Sequence, residues 1–129
     1  MLAMNEYKYP QRDFIYDATM IRVQDGDTVH IKLDLGCDQK IEPMKIRMNG
    51  INAKGKTVKP AGVAAYNFLC GLFPEGSQVR VETLKDSKEK YGRYLGILHH
   101  PSLTRSVNDE MIARGLVEPY YGVGKAEDN

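Results

Sequence analysis

The sequence predicts an α+β fold, mainly β, from three observations. Short segments of alternating or β-branched apolar residues recur five times, one stretch with helical spacing separates the third from the fourth, and another follows the fifth. At 129 residues the chain is long enough for one core and offers no room for a second catalytic domain.

Residues 14–23 are rich in β-branched and aromatic side chains and form the first expected strand. After Gln24-Asp25-Gly26-Asp27, the residues Val29, Ile31, Leu33 and Leu35 alternate with His30, Lys32 and Asp34, which predicts a second strand joined to the first by a tight turn. Residues 36–40 read as a polar turn. Met44, Ile46 and Met48 then alternate with Lys45, Arg47 and Asn49 in a third strand ending at Gly50. Residues 52–60 have no periodicity and read as a loop. Pro60 opens a helix in which Val63, Ala64, Tyr66, Leu69 and Leu72 recur at helical spacing, until Pro74-Glu75-Gly76 stops it. Val79, Val81 and Thr83 alternate with Arg80 and Glu82 in a fourth strand. Beyond the charged loop 85–90, residues 94–98 give a fifth. Asn108 is the expected cap of a second helix that buries Met111, Ile112 and Leu116 and ends at Gly115. Five strands interrupted in this order predict a five-stranded Greek-key barrel of the OB type with two to three packed helices. Residues 1–12 are expected to be an extension, 13–122 the domain and 123–129 a flexible tail.

Composition excludes more than it names. Eighteen basic against 17 acidic residues leave a net charge of +1, so global charge points to no partner. No apolar run of about 18 residues exists, so no membrane span is expected. Residues 1–10 lack the apolar middle of a secretion signal, and a cytoplasmic location is the expectation. Cys37 and Cys70 match no metal spacing and read as reduced packing residues. The local charge is more telling: from 40 to 60, six basic residues (Lys40, Lys45, Arg47, Lys54, Lys56, Lys59) face only Glu42, a net +5 that favours an anion.

Three segments carry chemistry. Asp25-Gly26-Asp27-Thr28 offers two carboxylates at a turn as hard oxygen ligands, although Asp-Gly between apolar alternations is also a plain hairpin signal. Tyr91-Gly92-Arg93 brings an arginine fork to a strand entrance beside a glycine. Arg47-Met48-Asn49-Gly50-Ile51-Asn52-Ala53 ends a strand. His30, on the polar face of its strand, and His99-His100, before a proline turn, read as structural, and the six methionines as core packing.

In their order and spacing the three segments resemble the staphylococcal (micrococcal) nuclease, or thermonuclease-like, family, whose pattern runs Asp-Gly-Asp-Thr, Arg-Leu-x-Gly-Ile-Asp-x-Pro-Glu, Tyr-Gly-Arg. The resemblance extends from about Ile21 to Tyr121, and its wording is similar to compact phage or mobile-element members. It implies that Asp27 is a Ca²⁺ ligand, that the Ala53 carbonyl is a neutral ligand, and that Arg47 and Arg93 act on the phosphate. The second ligand aspartate is Asn52 here, and Lys54-Gly55 stands where the family has Pro-Glu, so the general base is missing. One carboxylate fewer implies a weak Ca²⁺ site, and loss of a positioned base costs roughly 10²–10⁴ in rate. No Asp or Glu occurs from Pro43 through Pro74 to replace it. Glu42 is an odd number of residues from Arg47 and points away unless a bulge intervenes, and nothing in the spacing of Asp86 or Glu89 brings them in.

The leading expectation is therefore a nuclease-like domain of degenerate site. It would bind single-stranded nucleic acid, a nucleotide or another phosphate ligand through Arg47, Arg93, Lys54, Lys56, Lys59 and Lys90, with Tyr91, Tyr120 and Tyr121 at its rim to stack bases. The alternatives are an active Ca²⁺-dependent phosphodiesterase on DNA or RNA, and a module that binds a protein partner on a nuclease scaffold.

Overall fold

The computed structural model describes residues 14–88 and 94–120, with residues 85–88 described by their backbone alone. Strands β1 (Ile15–Asp25), β2 (Thr28–Gly36) and β3 (Gln39–Met48) form a meander. A short β4 (Ile51–Asn52) precedes helix α1 (Ala61–Leu72), followed by β5 (Gln78–Lys88), β6 (Tyr94–His99), helix α2 (Val107–Ala113) and a short β7 (Glu118–Pro119). Five strands close into a barrel in the order β1-β2-β3-β6-β5, and β4 pairs with β7 in a separate two-stranded sheet. All barrel neighbours are antiparallel except β3 and β6, which run parallel. This is the expected OB-type α+β architecture, with two helices among the described residues.

The alternation read from the sequence is what closes the barrel. Val29, Ile31 and Leu33 of β2 and Met44, Ile46 and Met48 of β3 face inward, where Val81 of β5 and Leu98 of β6 meet them in one continuous core. Burial of this apolar surface is the main stabilising term. Helix α1 buries Gly62, Ala65 and Leu69, spaced to share one face. Helix α2 adds Val107 and Met111. Four methionines (Met20, Met44, Met48, Met111) are core residues, as expected.

Several expectations need correction. The turn between β2 and β3 is only two residues, Cys37 and Asp38, at φ 54° and 64°, so β3 begins at Gln39. Two consecutive left-handed residues match the twist of paired strands, as in a type I′ hairpin. Cys37 is thus exposed at a turn tip and is not a packing residue; it and Cys70 are free thiols. Ser106, not Asn108, caps α2: its hydroxyl accepts from the Asp109 N–H at 3.0 Å. Asn108 lies inside the helix and buried, accepting from the Leu98 N–H (3.1 Å) and donating to the carbonyls of Asn49 (2.8 Å) and Gly96 (3.2 Å). The helix does stop at Gly115, whose φ of 71° lets the Gly115 and Leu116 N–H groups turn back to the Ile112 and Met111 carbonyls. His30 faces outward but is buried, its ring nitrogen Nε2 2.8 Å from Gln24 Oε1. The expected extension and tail, residues 1–12 and 123–129, lie outside the described residues. No helix among the described residues is long and apolar enough to cross a membrane.

Candidate functional site

The β1–β2 hairpin ends in a two-residue turn, Gly26-Asp27, held between Asp25 and Thr28. A Cβ on Gly26 would stand 2.5 Å from the Ala65 Cβ and 3.0 Å from the Ala53 Cβ, so only glycine lets the tip wedge between α1 and the chain leaving β4. That wedge fixes Asp27. Its carbonyl accepts from the Met48 N–H (2.7 Å), its Oδ1 from the Thr28 hydroxyl (2.9 Å) and its Oδ2 from the Ala53 N–H (2.8 Å).

Arg47 approaches from the facing strand. It pairs with Thr28 on β2 and with Leu95 on β6, which makes it part of the parallel seam. Its Nη1 donates to the carbonyls of Met48 (3.1 Å) and Ile51 (2.9 Å), and its Nη2 to Asn52 Oδ1 (3.1 Å). Nη1 is also 3.5 Å from Asp27 Oδ2, in an ion pair whose side chains are 12% and 10% exposed. The Tyr120 ring covers the guanidinium at 5.8 Å, and the Tyr120 N–H donates to the Gly50 carbonyl at 2.8 Å. Among the described residues the Tyr120 hydroxyl is buried and without a hydrogen-bond partner.

Structure therefore brings Asp27, Arg47, Asn52, Ala53 and Tyr120 together. Ala53 meets Asp27 through its N–H. Lys54, Lys56 and Lys59 lie exposed on the adjoining loop. That loop is tethered: the Lys56 N–H donates to Asp25 Oδ1 (3.0 Å), and the Lys56 ammonium lies 5.2 Å from the Tyr66 ring centre. Gly62 lets the loop backbone lie directly on α1, since a Cβ there would meet the Gly55 carbonyl oxygen at 1.8 Å. Lys90, Tyr91, Arg93 and Tyr121 lie outside the described residues, as do Glu89 and the Asp86 side chain. Glu42 is exposed at a register slip in the β2–β3 pairing, between Met44 and Ile41. His99 stands 3.6 Å from Glu82, and His100 Nδ1 accepts from the Ser102 N–H (3.1 Å).

Sequence reasoning missed two parts of this arrangement. The Met48 and Ile51 carbonyls that aim Arg47 are backbone groups without a residue signature. Asn108, which ties the Asn49 carbonyl to β6, was visible only as a helix-cap candidate.

The cluster suits an anion better than a cation. Three hydrogen bonds hold the guanidinium in place and leave at most two of its five N–H groups for an incoming oxyanion. Calcium asks for about six to eight oxygens with several carboxylates among them. Among the described residues of the cluster Asp27 is the one carboxylate, and its Oδ2 and Asn52 Oδ1 already accept from Ala53 and Arg47. Among the described residues no group of three or more His, Cys, Asp or Glu side chains converges. These donors do not fit a tight Ca²⁺ site.

Fold and cluster together define a small OB-type barrel with a partly buried, arginine-centred polar cluster at its seam. No family model matches the chain. It is similar to Endonuclease YhcR of Bacillus subtilis (strain 168), with 26% identity over 87% of this chain. The chain spans 10% of that protein's length. The similarity is thus to a nuclease.

Proposed function

We propose that this chain is a staphylococcal-nuclease-like domain that binds single-stranded nucleic acid, or another phosphate ligand, with hydrolysis lost or strongly reduced. The carrying observation is Arg47: a guanidinium oriented by Met48, Ile51 and Asn52, largely buried beside a single carboxylate, and flanked by exposed lysines. A phosphate oxygen reaching Arg47 meets a donor that needs no reorganisation, and Lys54, Lys56 and Lys59 raise the local positive potential. Lys90, Tyr91, Arg93 and Tyr121, which lie outside the described residues, join this reading through the motif resemblance alone, and Tyr120 through its ring over Arg47. Similarity to an endonuclease supports the class of ligand. Turnover is expected to be low because position 55 supplies no base and Asn52 supplies no charge.

The test is fluorescence anisotropy of labelled single-stranded DNA and RNA across a salt series. Binding that weakens with salt and falls with Arg47→Ala supports the reading. Binding indifferent to both refutes it.

The similarity to an endonuclease also favours a second reading, an active Ca²⁺-dependent phosphodiesterase. That reading requires cleavage that is abolished by EDTA and, separately, by Arg47→Ala or Arg93→Ala. Cleavage surviving the variants belongs to a contaminant.

A further inference from the structure

Beside the Arg47 cluster, the outer face of the barrel carries an ordered row of basic groups. His30 of β2 is directly opposite Arg22 of β1 and Lys45 of β3. Directly opposed residues share a face, and Val29, Ile31, Met44 and Ile46 point inward, so all three project outward. Neighbouring strands lie about 4.8 Å apart, which places Arg22 and Lys45 one strand to either side of the imidazole. Lys45 is two residues before Arg47 on the same face, a step of about 7 Å along β3.

Among the described residues the row has no ion-pair partner. Other outer arginines have carboxylate partners: Arg80 with Asp17 at 3.0 Å, and Arg105 and Arg114 with Glu110. Among the described residues neither Arg22 nor Lys45 forms an ion pair. The groups facing His30 are Arg22 and Gln24 from β1 and Lys45 from β3, with Thr28 and Lys32 to either side on its own strand. Burial, then Arg22, then Lys45 push its pKa below the usual imidazole value, so the environment of the free protein disfavours the protonated ring between two cations. An anion laid across the row inverts that balance: it offsets the repulsion between Arg22 and Lys45 and makes a protonated imidazole favourable. The row ends at the register slip opposite Lys32, where Glu42 stands.

We propose that Arg22, His30 and Lys45 form a second phosphate subsite, so that a nucleic-acid strand seated at Arg47 continues across β3, β2 and β1, taking up a proton at His30 as it binds. The inference rests on the nucleic-acid reading above. Lys45 is the link, since it borders both Arg47 and the row. The occupant is a phosphodiester backbone because the row adjoins the Arg47 site and supplies charge and N–H donors with no apolar platform.

The test compares wild type, the double variant Arg22→Gln/Lys45→Gln, His30→Gln and Arg47→Gln for binding to an oligothymidylate eight nucleotides long and to thymidine monophosphate, across salt and from pH 8 to 5.5. The double variant is expected to lower the salt slope for the oligonucleotide by about 0.7 per phosphate contact removed. Its affinity loss is expected to be larger for the oligonucleotide than for the mononucleotide. Wild-type affinity should rise as pH falls, and His30→Gln should abolish that rise. An unchanged salt slope in the double variant, or the same pH dependence in His30→Gln, overturns the subsite. If Arg47→Gln alone weakens binding, the Arg47 reading survives without it. If wild type binds anionic lipid vesicles and not the oligonucleotide, both fall. Urea unfolding of each variant separates lost binding from lost folding.

Discussion

Arg47 Nη2 donates to Asn52 Oδ1 at 3.1 Å, so the only polar oxygen that the Asn52 side chain offers is aimed at the guanidinium. At the position where the motif resemblance implied a metal ligand, the side-chain oxygen accepts from an arginine. The chemistry available to the cluster follows from that exchange of partner.

Asn52→Asp combined with Gly55→Glu is expected to create Ca²⁺-dependent cleavage. A second carboxylate returns the charge that a divalent ion requires, and position 55 has space: a Cβ there meets only Val58 Cγ2, at 3.8 Å. Cleavage of labelled single-stranded DNA, with EDTA as control, should exceed wild type by roughly 10² or more. No gain would mean that the loop between β4 and α1 no longer presents position 55 to the phosphate.

Arg47→Ala is expected to destabilise the fold as well as abolish binding. It removes the ion-pair partner of the largely buried Asp27 carboxylate, which keeps its bonds from Thr28 and Ala53, and takes the Arg47 donor from the Ile51 carbonyl, at a cost of about 1–3 kcal/mol. Arg47→Lys should recover little, because an ammonium cannot reproduce a planar fork that serves three acceptors at once. Urea midpoints and anisotropy on the same preparations check both halves. Wild-type affinity in the Arg47→Lys variant would show that charge alone suffices.

Two glycines in one helix should respond oppositely to alanine. Gly62→Ala drives a methyl into the Gly55 carbonyl and must displace the basic loop, lowering both stability and nucleic-acid affinity. Gly71→Ala meets no atom within 4 Å and should stabilise α1 by about 0.5–1 kcal/mol. Thermal melts of the pair give a direct comparison.

The depressed pKa of His30 has a definite sign for stability. The unfolded chain binds the proton more readily, so the His30 contribution is intact well above pH 6.5, declines as pH falls through that value, and levels off below the folded pKa. The difference in unfolding free energy between wild type and His30→Gln should therefore shift against wild type as pH is lowered from 7.5 to 5. A difference independent of pH would contradict the burial of the neutral ring.

The strands were legible because each has one face in the core: Val29, Ile31 and Leu33, or Met44, Ile46 and Met48, state their register in their spacing. The turn at Cys37 and Asp38 was not, since Cys37 carries no signal for a left-handed backbone and Asp38 carries a weaker one than Asn-Gly would. Asn108 misled for a related reason: a short amide suits a cap and a buried cross-link equally, and only the proximity of Asn49 and Gly96 decides. Of the cluster, Asp27, Arg47 and Asn52 could be named from local motifs. The row of Arg22, His30 and Lys45 could not, because the irregularity between Met20 and Arg22 sets which β1 residue faces His30.

The parallel seam between β3 and β6 has three residue pairs, Ile46 with Tyr94, Arg47 with Leu95 and Met48 with Gly96, and Arg47 is the middle one. These partners are far apart in the chain, so this pairing carries a larger loop-closure cost than the local β1–β2–β3 meander. The Arg47 cluster is consequently not assembled in any hairpin alone, because its backbone is fixed at one of the two non-local joints of the barrel, β3–β6 and β1–β5. Any fluctuation that parts the seam dismantles the site while leaving the meander paired. On the proposed reading, affinity would thereby report on whether β3 and β6 stay joined, and a ligand held at Arg47 would act as a clasp across that seam.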